Sequence, residues 1–399
     1  MKIEYKIKYC TECVIPNTRP EIHFDKNGVC SACNNAKLKK KVNWKKRKQE
    51  FLKILLKHKK SNINNDYNCI VPVSGGKDSI YQLYLLKKKF KMRPLAITWK
   101  TLARTKQGED NLNALKNIGV DHIDFTINPK VINEITKKSF LKFGDSSYID
   151  HLCIYNLIPN LAIKLNIGLV TWGENPYFEY GGKKKNSSER TQNSKMINKH
   201  NILKNHLAEK WISKKISKRD MSSFLVPNEK KLKSIKYEPI YLGYYFPWDI
   251  KRNYRIAIKV GFKARENGPM MGLYSESDLD CMNIVIHHYF KWLKFGFNRV
   301  TDNASNEIRK KRLTRKKAIQ LIRKYDGIKP PKEYIQNFCK QIKITERKFW
   351  EVANKFRNKK IWKKNKRNQW YIHNWIAGDK KIDKFPNIEL SKKEKSYLQ

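Results

Sequence analysis

The chain has 399 residues, enough for two or three domains, and 40% of them are hydrophobic, which excludes a disordered polymer. No run approaches the roughly 18 apolar residues of a membrane span, and the N-terminus MKIEYKIKYC has no apolar signal core; a cytoplasmic location is expected. The formal net charge of +50 has two readings: a polyanionic partner, or the codon bias of an AT-rich genome. The excess is largely Lys spread along the whole chain, so charge does not settle the substrate, and a nucleic acid is not the expected partner.

In chain order, residues 1–60 open with a Cys-rich module containing the turn residues Pro16, Pro20 and Gly28. A Lys-rich helix over 37–60 follows, with Trp44, Phe51, Ile54 and Leu55 as its apolar stripe. Residues 61–180 then alternate strands and helices. Strands are expected at Tyr67–Val73, Pro94–Trp99, His122–Phe125 and Gly168–Trp172. Helices are expected from the Ser74–Gly76 turn to about Phe90 and near 108–118, 130–142 and 150–166. This alternation predicts an α/β fold with a parallel sheet, whose ligands sit at the carboxyl ends of its strands. Here those ends are Ser74, Thr98–Trp99 and Gly173–Asn175. Residues 181–244 read as a Lys-rich insertion. Residues 245–399 complete the core and form a helical C-terminal region. Its helices are expected at Leu279–Leu293, after the cap Thr314 with a stop at Asp326–Gly327, and from Thr345.

Two constellations carry chemistry. Cys10-Thr-Glu-Cys13 and Cys30-Ser-Ala-Cys33 form two CxxC pairs separated by 16 residues. Two such turns complete a tetrahedral thiolate set, which suits a structural Zn2+ with no open position. So short a module cannot hold itself together by burial, so the metal would supply its folding energy. The second constellation is Ser74-Gly75-Gly76-Lys77-Asp78-Ser79, between a buried strand and a helix. Gly75 and Gly76 let the backbone turn its N–H groups inward, and the helix start attracts an anion. Lys77 in a first helical turn is disfavoured unless phosphate is bound. Asp78 makes sense there with Mg2+ bridging to the phosphate, or as a cap of its own helix.

GxxxxGK[ST] is absent, so this is not a Walker loop. SGGKDS resembles the pyrophosphate loop of the PP-loop ATP pyrophosphatase superfamily. Further stretches, Tyr9–Pro20, Thr171–Asn175 and Lys294–Arg309, give the chain a resemblance to bacterial N-acetyl sugar amidotransferases of lipopolysaccharide O-antigen and pseudaminic acid biosynthesis. The likeness runs from about residue 8 to about 356. It implies a PP-loop core in which ATP is bound by Ser74, Gly75, Gly76, Lys77, Asp78 and Ser79, with Thr98 and Trp99 beside the adenine. It implies conversion of an acetamido to an acetamidino group: the amide oxygen attacks ATP, an adenylylated imidate forms, and ammonia displaces AMP. Lys77, Asp78, Glu174 and Asn175 are the candidate catalytic residues. Arg299, Asp302 and Arg309 are candidates for gripping an N-acetyl sugar or nucleotide sugar; structural ion pairs would use the same residue types. No glutaminase motif is evident, so ammonia is expected from glutaminase and cyclase-like partner subunits. The alternative is a tRNA thiolation enzyme, some of which pair a zinc site with SGGKDS. Those usually need downstream sulfur-carrying cysteines, and Cys153, Cys281 and Cys339 stand alone here.

Overall fold

The computed structural model describes residues 5–182, 189–192, 203 and 206–378. Five strands form one parallel sheet: β1 (Cys69–Pro72), β2 (Pro94–Lys100), β3 (Asp121–Thr126), β4 (Leu169–Trp172) and β5 (Glu238–Tyr241). Their order is β3-β2-β1-β4-β5. β1 is central and every residue in it is buried, because helices cover both faces of the sheet and leave no polar side. Ile70 registers with Leu95 on one neighbour and Val170 on the other. β3 lies at an edge, mostly exposed, and carries Asp121 and Asp124.

The winding direction reverses next to β1. The chain builds β2 and β3 on one side, then returns to lay β4 and β5 on the other. Such a reversal opens a crevice at the carboxyl ends of the two flanking strands.

The C-terminal region packs helices Asn283–Phe295, Arg299–Arg309, Arg315–Tyr325, Lys332–Gln341 and Glu346–Phe356 around a core of Phe140, Trp292, Phe338, Phe349 and Trp362. Thr314 and Thr345 cap their helices by accepting from the N–H of Lys317 and Lys348. Gly327, at φ 72°, ends the first of these where an added Cβ would lie 2.3 Å from the Trp292 ring.

Three expectations are corrected. The helix expected over Leu279–Leu293 begins at Asn283 instead. The residues before it form an irregular loop tied to the core: Met282 N–H donates to Ala103 O, and Cys281 bridges to Arg104. The helix expected over 37–60 is two, Ser31–Lys39 and Trp44–Ser61, the second capped by Asn43; the helix expected near 150–166 forms over 148–164, with a wide π turn at Cys153–Leu157. The stretch from 245 onward is not purely helical, since Trp362–Lys364 and Trp370–Ile372 pair as a hairpin. In addition, β5 lies inside the Lys-rich stretch 181–244; much of the rest of that stretch, and the tail beyond 378, lie outside the described residues. Among the described residues no helix is long and apolar enough to cross a membrane.

Candidate active site

The phosphate loop closes the carboxyl end of β1. Gly75 has φ 80°, and a Cβ there would meet Gly108 O at 2.8 Å, so the turn admits only glycine. The loop is tied internally: Gly76 N–H donates to Ser74 Oγ at 3.3 Å, and Ser79 Oγ donates to Gly76 O at 2.9 Å. The following helix, Lys77–Tyr84, starts at Gly76 with no side-chain cap. Its first N–H groups therefore remain available to an anion.

Lys77 is 5% exposed, and its ammonium lies 3.1 Å from both Asp78 Oδ2 and Ser277 Oγ. Asp78 does not cap its helix. Its other oxygen accepts from Asn253 Nδ2 at 2.7 Å. Asn253 is fully buried on the helix Ile250–Lys259, and Arg252 donates to its Oδ1 at 3.2 Å. Asn253 and Ser277 come from 175 and 200 residues downstream of their partners and carry no motif, so neither was legible in the sequence.

Glu174 follows β4 across the crevice. Burial, then the nearby Asp78 carboxylate, raises its pKa above the ordinary carboxylate range. Tyr180 Oη donates to it at 3.4 Å. Asn175 is committed locally: its Oδ1 accepts from Tyr177 and Phe178 N–H as the cap of helix Pro176–Tyr180, and its amide donates to Glu189 O at 2.7 Å.

A cavity of about 230 Å³ opens beside the loop at the ends of β1 and β2, lined by Ser74, Thr98, Trp99, Asp150, Asp280 and Cys281. Thr98 is internally bonded, donating to Val73 O at 2.8 Å. The Trp99 indole donates to Asp150 at 3.1 Å. Burial pushes Asp150 up to about 7 and Asp280 up to about 6.

Of the three candidate sugar-binding residues, Arg299 and Asp302 stay within electrostatic reach of each other on one helix, and Arg309 separates from them. Arg299 lies 3.0 Å from Asp278, with His288 Nε2 3.5 Å from the same carboxylate. Burial would raise Asp278, but the charges of Arg299 and His288 overcome it and hold it well below the usual range. Asp302 is clamped by Arg19 and Lys291. Arg309 lies far along its helix from both, donating to Glu179 O at 3.1 Å beside the cysteine cluster.

All four thiol sulfurs of Cys10, Cys13, Cys30 and Cys33 lie within 4.8 Å of one another, and all four residues are buried. Cys10 to Cys33 is 3.9 Å and Cys13 to Cys30 is 3.7 Å. A tetrahedron with Zn–S bonds of about 2.3 Å has sulfur edges of about 3.8 Å, so the donor set fits zinc, and the spacing is far too long for a disulfide. Cys10 Sγ also accepts from the N–H of Cys13 and of Cys30. Arg315 donates to Cys13 O at 3.0 Å. The module leans on the helix that follows Glu174: Asn35 donates to Tyr177 O at 2.9 Å, and Lys39 pairs with Glu179. Of the other cysteines, Cys69, Cys153 and Cys339 are buried and Cys281 is half-buried.

Comparison with known proteins now bears on the C-terminal half. Residues 271–376 match the family model of the LPS biosynthesis protein WbpG-like C-terminal domain. The match supports the family resemblance drawn from the sequence, and the WbpG-like segment includes Ser277, which meets Lys77 of the phosphate loop, and the Asp278–Arg299 pair beside it. A protein of Methanocaldococcus jannaschii described as uncharacterized is 37% identical over 114 residues, 28% of this chain. The alignment spans 40% of that relative's length. A structure of NMN synthetase from Francisella tularensis aligns at 15% identity and a TM-score of 0.23, covering 55% of this chain and 94% of that one. So loose a superposition establishes no correspondence of sites.

Proposed function

We propose that the protein is an ATP-dependent amidotransferase of surface-polysaccharide biosynthesis that converts the acetamido group of an N-acetyl sugar to an acetamidino group. The observation that carries this reading is the buried Lys77, held between Asp78 and the Ser277 hydroxyl of the WbpG-like segment. A cation buried at a helix start opposes the helix dipole, and an anionic ligand reverses that penalty.

In this reading the loop N–H groups and Lys77 bind the β- and γ-phosphates of ATP. Mg2+, carried in with ATP, would be held near Asp78 and Glu174 and would spread the charge of the departing pyrophosphate. The sugar amide oxygen attacks the α-phosphorus, its bond to the pyrophosphate oxygen breaks, and an O-adenylyl imidate forms. Ammonia then adds at the imidate carbon, AMP leaves, and a proton is lost from nitrogen. An amide carbon is a poor electrophile, and adenylylation supplies the leaving group. In this reading Glu174, whose pKa is raised by burial, takes that proton. On the same reading a glutaminase with a cyclase-like subunit supplies the ammonia; the nucleophile is unprotonated NH3, which concentrated ammonium chloride at mildly alkaline pH also provides.

Purified protein given Mg-ATP, ammonium chloride and a panel of acetamido sugars, free and nucleotide-linked, tests this. AMP and pyrophosphate should appear in equal amounts, only with sugar present, and the product should lose one oxygen and gain one NH by mass. Release of ADP, or AMP formation that depends on tRNA instead of sugar, would overturn it.

A further inference from the structure

We infer that the cleft between the cysteine module and the WbpG-like segment binds the phosphate of a sugar or nucleotide ester, at a site separate from the phosphate loop. The inference goes beyond the proposed reaction and does not depend on it. The cleft has a volume of about 220 Å³ and is closed by four stretches of chain far apart in sequence. Lys39 and Lys40 come from the end of helix Ser31–Lys39, and Trp44 starts the next helix. Phe178 and Glu179 come from the helix after Glu174, and Trp248 from the turn before Ile250–Lys259. Arg309 and Lys310 end the helix Arg299–Arg309.

The charge around the cleft is unbalanced. Its lining holds the four cations Lys39, Lys40, Arg309 and Lys310 and one carboxylate, Glu179. Glu179 pairs with Lys39, and its backbone oxygen accepts from Arg309 at 3.1 Å. Lys310 donates to Trp248 O at 3.2 Å and lies 3.3 Å from Asp249, a carboxylate that Arg312 also holds at 2.9 Å. Burial lowers the pKa of Lys39; Glu179 opposes that, while Lys310 and Arg309 add to it. Cations gathered with too few anions repel one another, and a bound phosphate relieves the repulsion. A lysine-rich composition scatters charge over a surface. It does not draw Lys39 and Arg309 into one cavity from distant parts of the chain.

The walls decide what carries the phosphate. Phe178 and Trp248 are buried and Trp44 is half-buried, with the Lys39 ammonium 5.0 Å from the centre of the Phe178 ring. Aromatic walls take the face of a sugar ring or a base while the cations take the phosphate. Pockets for drug-sized ligands start at roughly 300 Å³, so this cleft takes a sugar phosphate or one end of a nucleotide. Neither the loop residues Ser74–Ser79 nor Glu174 line it, so its occupant is a second ligand and not the reacting group. The seat nevertheless touches both sides of the crevice. The Trp248 ring meets Tyr81 of the phosphate-loop helix edge-on at 5.7 Å, and a Cβ at Gly173, the residue before Glu174, would lie 3.2 Å from it.

The test uses the full chain, with and without a saturating magnesium complex of α,β-methylene-ATP to fill the phosphate loop. Calorimetry measures glucose-1-phosphate, UDP, pyrophosphate and uridine on wild type, Lys40→Glu, Lys310→Met and Trp44→Ala. In wild type at least one of the two esters should bind one to one whether or not the analogue is present, pyrophosphate should bind more weakly, and uridine should not bind. Lys40→Glu and Lys310→Met should weaken ester binding roughly tenfold or more, with the analogue's own affinity within about twofold of wild type. Trp44→Ala should weaken the ester and leave pyrophosphate unchanged. If Lys310→Met does not fold, as read by thermal unfolding, Lys40→Glu at an exposed position carries the comparison. Absence of ester binding, its displacement by the analogue, pyrophosphate binding as tightly as the esters, or equal ester binding in Lys40→Glu overturns the inference. Ester binding that behaves as expected on a chain that fails to bind the analogue upholds the site and instead removes the proposed reaction.

Discussion

The cysteine cluster and the phosphate loop are both tight backbone turns that aim donor groups at one point, yet they are completed in opposite ways. The cluster finishes itself within 24 residues, Cys10 to Cys33, and needs only a metal. The loop supplies its own backbone and serines, but its two charged side chains are held by Asn253 and Ser277 from far downstream. A site closed by neighbours in sequence stands or falls with its metal. A site closed by distant segments depends on the packing of three regions.

Removing the metal should give the largest effect. A structural Zn2+ contributes on the order of 10 kcal/mol to the folding of small zinc modules. A strong chelator should release one zinc per chain, measured with a metallochromic dye, and lower the unfolding temperature by well over 10 °C. Because Asn35 and Lys39 brace the helix after Glu174, turnover should fall too, and added zinc should restore it. Retention of both stability and turnover would sever the cluster from the site.

Next in size is Lys77→Ala. Loss of one donor from a charge-stabilising site costs on the order of 100- to 1000-fold in kcat. Stability should hold or rise, since a buried cation at a helix start is removed. A variant whose unfolding temperature collapses would make Lys77 a structural ion pair.

The segment that carries Ser277 is braced by a pair that titrates in mild acid. His288, beside Asp278, is held down to about 4 by burial. The unfolded chain takes up this proton near pH 6.5, whereas the folded one refuses it until about 4. Stability therefore falls as pH drops from 6.5 to 4 and then levels, by roughly 3 kcal/mol from this group. In His288→Gln that part of the slope should vanish in thermal melts taken across pH 4–7. An unchanged slope would place the proton elsewhere.

What the sequence revealed follows the same division. CxxC spacing, SGGKDS after an apolar run, and the caps Thr314 and Thr345 are local patterns, and each appears where expected. β5 was hidden because Glu238-Pro-Ile-Tyr241 is four residues long, contains proline and follows a Lys-rich stretch; a proline is admissible because the strand lies at the sheet edge. The break before Asn283 was hidden because the apolar spacing of Leu279, Met282 and Val285 continues the helical period. Tertiary bonds to Ala103 and Thr105 hold that stretch as an irregular loop. Arg299 and Asp302 promised a ligand grip by type alone, and the structure engages both in buried ion pairs.

The smallest expected effect probes the distant closure most directly. Asn253 is fully buried and donates its amide to Asp78, while its oxygen accepts from Arg252. In Asn253→Ala, Asp78 loses one fixed hydrogen bond, and the variant should weaken Mg-ATP binding by about 1–2 kcal/mol, roughly tenfold, in calorimetry. Asn253→Asp keeps the shape and the partner for Arg252 but sets a carboxylate against the Asp78 carboxylate. It should weaken binding further near neutral pH and recover toward the Ala level as the pair takes up a proton in mild acid. Steric support alone predicts the reverse ranking, with the isosteric Asp variant close to wild type at every pH.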